Sequence, residues 1–75
     1  MTATQMFKEF RNILERGNVN YQFECKSANQ CWIVFHVCSR IELKDGELTY
    51  SGNKINSGNF AMYKEALKAL AATAV

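Results

Sequence analysis

Asp45-Gly46 stands between two runs of alternating apolar and polar residues, and no other feature constrains this 75-residue chain more. An Asp-Gly pair in that setting is a type I′ hairpin turn, because both turn positions need positive φ. The turn sets Lys44 against Glu47, Leu43 against Leu48 and Ile41 against Tyr50. Opposite charges then meet and apolar residues meet, so the register is self-consistent. Upstream, Cys31, Ile33, Phe35, Val37, Ile41 and Leu43 alternate with Trp32, Val34, His36, Cys38, Arg40 and Glu42. That period of two predicts one long strand over residues 31–43. Val19, Tyr21, Phe23 and Cys25 alternate in the same way and predict a strand over 19–25, with 26–30 as a polar turn. The third strand is expected over 47–51, and residues 52–58 read as a loop.

A period of 3.6 flanks the strands on both sides. Ala3, Met6, Phe7, Phe10, Ile13 and Leu14 share one helical face, which predicts a helix over 3–16. Thr2 and Gln5 have capping-box spacing ahead of it. Gly17 is the expected left-handed residue after it. At the other end, Phe60, Tyr63, Leu67, Leu70, Ala71 and Ala74 form a second stripe, with Asn59 or Ser57 as its cap. The expected fold is α+β in the order α-β-β-β-α, a three-stranded antiparallel sheet with two helices packed on one face. Residues 1–75 make one domain. Its expected core is Phe10, Leu14, Tyr21, Phe23, Ile33, Phe35, Val37, Leu48, Leu67 and Leu70.

Composition sets the outer limits. With 48% hydrophobic and 21% charged residues, the chain is not intrinsically disordered. No apolar run reaches the roughly 18 residues of a membrane span, and no secretory signal is visible. Three cysteines, an odd number, read as reduced thiols in a cytoplasmic protein. A net charge of +2 selects no partner by itself.

Element order and size resemble the double-stranded RNA-binding domain over nearly the whole chain. Lys64-Glu65-Ala66 with Ala71 is similar to part of the Lys-Lys-x-Ala-Lys…Ala pattern of that family's second helix. Tyr63 and Leu67 stand where its outer lysines would be, and Ser27-Ala28-Asn29-Gln30 replaces its Gly-Pro-x-His loop. The resemblance implies binding of structured or double-stranded RNA by shape and phosphate contacts. Such domains touch the duplex through helix one, the β1–β2 loop and the start of helix two, over about 16 bp. The corresponding residues here are Gln5, Lys8 and Asn12; Lys26, Asn29 and Gln30; and Lys54, Lys64 and Lys68. Amides suit 2′-hydroxyls and base edges, and lysines neutralise phosphates with release of counterions. The plainer reading of Lys64 and Lys68 is a solvated helix face.

If both helices cover one sheet face, the other face presents Trp32, Val34 and His36 to solvent. An open Trp-Val patch marks a protein contact, either a homodimer or a protein target, and the plainer reading is a surface aromatic packed by cross-strand neighbours such as Gln22 and Glu24. The alternative function is therefore a protein-binding module, an inhibitor or antitoxin-like factor working without RNA. The small size fits an accessory or inhibitory factor of viral or mobile-element origin. No metal site, cofactor site or catalytic constellation is expected: there is no Cys-x-x-Cys pair, no Gly-rich phosphate loop and one histidine. His36 and Cys38 lack an orienting acid or oxyanion donors, so the chain is not read as an enzyme.

Overall fold

The computed structural model describes residues 2–35 and 39–73. They form α1 (Ala3–Arg16), β1 (Tyr21–Ser27), β2 (Gln30–Phe35), β3 (Ser39–Lys44), β4 (Glu47–Tyr50), β5 (Asn53–Ile55) and α2 (Phe60–Thr73). The strands make one antiparallel meander in chain order, so the sheet has five strands and not the expected three. Two features account for the difference.

The predicted long strand is a hairpin. β2 pairs with β3, placing Ile33 opposite Ile41 and Phe35 opposite Ser39. Alternation cannot reveal this reversal. Residues 33 and 41 are separated by an even number of positions, so they share a face whether the chain runs straight or folds back. The linking residues carry no Gly, Pro or Asn to punctuate the run. His36, Val37 and Cys38 themselves lie outside the described residues. The second feature is β5, three residues paired to β4 inside the expected loop. Ser51 and Gly52, with φ of 50° and 85°, turn the chain as Asp45 and Gly46 do at 51° and 79°. A Ser-Gly turn ahead of so short a strand leaves little periodicity to read. The β3–β4 register is the one expected from Asp45-Gly46.

Helix α1 begins at the expected capping box. The Gln5 backbone N–H donates to Thr2 Oγ1 (3.2 Å), and the Thr2 N–H donates to Gln5 Oε1 (2.8 Å). Its end differs from expectation. Gly17 has φ −84°, and Asn18 takes the left-handed conformation at 55°. Ahead of α2, Asn59 takes the N-cap position with its carbonyl, which accepts the Tyr63 N–H (3.2 Å), and its side chain turns away from the helix. Its amide donates to the Lys54 carbonyl, and its Oδ1 accepts from the Asn56 N–H. Asn56 Oδ1 in turn accepts the Gly58 and Asn59 N–H groups, closing the connection into a compact turn.

Both helices pack on the same sheet face. Met6, Phe7, Phe10, Ile13 and Leu14 of α1 and Phe60, Leu67 and Ala71 of α2 are buried over Ile33, Phe35, Ile41, Leu48 and Ile55. Phe10 meets Tyr50 and Phe60 edge-on, at 5.8 and 5.2 Å between ring centroids. Among the expected core residues, Tyr21 and Leu70 are half-buried, Val37 lies outside the described residues, and Phe23 is 38% exposed. Phe23 is exposed because β1 is an edge strand of the sheet; α1 partly covers it, through Phe7 and the Arg11 guanidinium 4.3 Å above the ring. The thiol expectation also changes. Cys25 and Cys31 face each other across β1 and β2, with Cα atoms 4.0 Å apart, and are joined by a disulfide. No helix among the described residues is long and apolar enough to cross a membrane.

Candidate functional site

Strand parity decides which expected contact residues meet. An odd number of antiparallel strands brings β5 out at the end of the sheet where β1 turns into β2. Helix α2 therefore starts at that end. Helix α1 runs alongside it in the same sense, because Gly17 at its C-terminus touches Ala71 near the end of α2. Both helix N-termini thus share one end with the β1–β2 turn and the β3–β4 turn, which are tied by the Asp45 N–H donating to the Asn29 carbonyl (2.9 Å). Gln5, Lys26, Asn29 and Gln30 belong to this end. Lys8 and Asn12 run along the exposed side of α1 beside Arg11 and Glu15. Lys68 is set apart, lining a groove between the helix C-termini with Arg16, Gly17 and Ala71.

Side-chain partners reduce this set further. Gln5 is committed to the helix cap, and Gln30 Nε2 donates to Glu42 Oε2 (3.2 Å). Each of the three downstream lysines sits beside a glutamate. Lys54 Nζ lies 3.3 Å from Glu47, Lys64 Nζ lies 4.0 Å from Glu9, and Lys68 Nζ lies 3.5 Å from Glu65. Lys64 also stands 5.7 Å from the centre of the Phe60 ring. Lys8, Asn12, Lys26 and Asn29 are exposed. Among the described residues this surface is of mixed charge, with glutamates beside Lys54, Lys64 and Lys68.

The opposite sheet face holds a better-formed cluster. Trp32 lies between Glu24 on β1 and Glu42 on β3, and Val34 lies between Gln22 and Arg40. The Arg40 guanidinium sits 5.1 Å from the centre of the Trp32 ring, a cation–π contact. Arg40 Nη2 donates to Glu42 Oε2 (3.1 Å), the same oxygen that Gln30 engages. Trp32 and Val34 are therefore half-buried by their strand neighbours, although no described helix covers this face. His36, expected to continue the patch, lies outside the described residues. The sequence reading missed Arg40 and Glu42 as members of this cluster. Their even positions matched Trp32, but only the β2–β3 hairpin brings them beside it.

The described titratable groups serve structure. Arg11 Nε donates to the Tyr21 hydroxyl (3.4 Å), which donates to Glu15 Oε1 (2.5 Å). The Tyr21 hydrogen bond, with charge contributions from Tyr21 and Glu15, holds the Arg11 guanidinium above its ordinary value against some desolvation. Burial pushes the Tyr50 phenol up, and Tyr63 adds to the shift. Among the described residues no three His, Cys, Asp or Glu side chains converge on a point that would hold a metal ion. No protein-family model matches this chain, and neither does any curated protein or any solved structure.

Proposed function

We propose that this chain is a protein-binding module whose contact surface is the uncovered sheet face, and that its partner there is a second copy of the chain. The stack of Arg40 on Trp32 beside Val34 carries this reading. Trp and Arg are the residue types enriched at interface hot spots. Glu24 and Glu42 flank Trp32 and Arg40 stacks on it, so both signs of charge border the ring and a two-fold copy can meet Arg40 with a carboxylate. The same carboxylates make this face unsuitable for a polyanion.

RNA binding is the second reading, supported by one juxtaposition. Lys26 and Asn29 share an end of the molecule with both helix N-termini, and Lys8 and Asn12 continue along α1. Backbone N–H groups at helix starts favour phosphate. Against it, a phosphate approaching Lys54, Lys64 or Lys68 must compete with a glutamate.

Sedimentation velocity at micromolar concentration, with an absorbance ratio that reports nucleic acid, tests both readings. The expected result is a nucleic-acid-free dimer for the native chain. Trp32→Ala should be a monomer with nearly unchanged melting, because the core is untouched. A strictly monomeric native protein would end the self-contact reading. Co-purified RNA lost in a Lys8→Ala, Lys26→Ala variant would favour the second reading.

A further inference from the structure

The Cys25–Cys31 disulfide joins an exposed residue at the sheet edge to a half-buried one packed against the core. Cys25 is exposed on β1, the edge strand, and no strand lies beyond it. Cys31 is half-buried on β2, packed against the core, and its register partner on the inner side is Leu43 of β3. Displacement at a disulfide sulfur is collinear: the entering thiolate, the attacked sulfur and the leaving sulfur share a line. Cys25 is on the outer side of the bond, on the edge strand, so a thiolate entering opposite Cys31 approaches from the edge of the sheet. Attack at Cys31 must come from the inner side, where Leu43 of β3 is its register partner.

We infer that Cys25 and Cys31 form a reversible thiol–disulfide exchange site for small thiols of the glutathione class, entered at Cys25. An external thiolate attacks Cys25 Sγ, a mixed disulfide forms there, and the Cys25–Cys31 bond breaks. Its electron pair leaves on Cys31 Sγ, which then takes up a proton. A second external thiolate attacks the small-molecule sulfur of the mixed disulfide, forming a free small-molecule disulfide and releasing the Cys25 thiolate, which is protonated in turn. The chain gains two electrons and two protons, and two small thiols become one disulfide. The oxidised small molecule runs the sequence backwards. The exchange acts on the edge strand: the bond ties β1 to β2 beside the register shift between Cys25 and Ser27, and its loss removes the one covalent link between the two strands across their pairing.

The experiment uses the full chain with Cys38→Ser, so that only this pair reports. Oxidised protein is treated with millimolar reduced glutathione, quenched with acid and mapped by peptide mass, while circular dichroism follows the fold. The expected result is reduction with the fold retained, and glutathione on Cys25 in at least tenfold excess over Cys31 in the quenched intermediate. Glutathione disulfide should restore the bond. In a second measurement, Cys31→Ser should take up glutathione from its disulfide at least tenfold faster than Cys25→Ser. Equal labelling of the two positions would overturn the proposal. So would a bond that yields only when the fold is lost, or thiols that glutathione disulfide does not reoxidise.

Discussion

Gly17 lies against Ala71 with no room for a side chain: a Cβ on Gly17 would sit 2.6 Å from the Ala71 Cβ. This contact is where the C-terminal ends of α1 and α2 meet. Gly17 has φ −84°, which any residue tolerates, so the position is glycine for space and not for conformation. Gly17→Ala should therefore destabilise the fold by about 1–3 kcal/mol through overpacking. Adding Ala71→Gly should relieve the clash, less about 1 kcal/mol of lost helix propensity. Thermal melting of the single and double variants checks this, and a fully additive double variant would show that the clash is not the cause.

Phe35 is 1% exposed and meets Tyr50 edge-on at 6.0 Å between ring centroids. Phe35→Ala should cost about 3–5 kcal/mol. In a domain of this size that is a large share of the total. Denaturant unfolding measures it, and near-native stability would mean that the β2 faces are reversed.

Tyr50 adds a pH dependence at the alkaline end. Burial, then Tyr63, raises its phenol above the ordinary 10.0. The neutral form is thus favoured in the folded state, and the unfolded chain loses this proton first as pH rises. The stability linked to Tyr50 is complete below pH 10 and falls as pH climbs through the folded-state value. Tyr50→Phe should flatten that part of the stability curve. Urea midpoints of both proteins across the tyrosine range provide the comparison.

What the sequence determined by itself was set by neighbours in the chain. The Thr2–Gln5 capping box, the span of α1 and the register around Asp45-Gly46 depend on residues a few positions apart, and their chemistry is complete locally. The apolar face of each element was legible for the same reason, since Phe10, Leu14, Ile33, Phe35, Leu48 and Leu67 repeat at the period of their own helix or strand. The tertiary structure decided what depends on separation in space. Alternation of period two is unchanged by a reversal between even-spaced positions, so the β2–β3 hairpin left no trace in the pattern, and the three residues of β5 were too few to show one. That hairpin seats Arg40 on Trp32 and ties Gln30 to Glu42. Strand pairing set Cys25 beside Cys31, which an odd cysteine count had argued against. Helix packing made Gly17 a matter of space, and it set Glu9 beside Lys64, as strand pairing set Glu47 beside Lys54. Each of these contacts joins residues on separate elements, and no local period carries the distance between them.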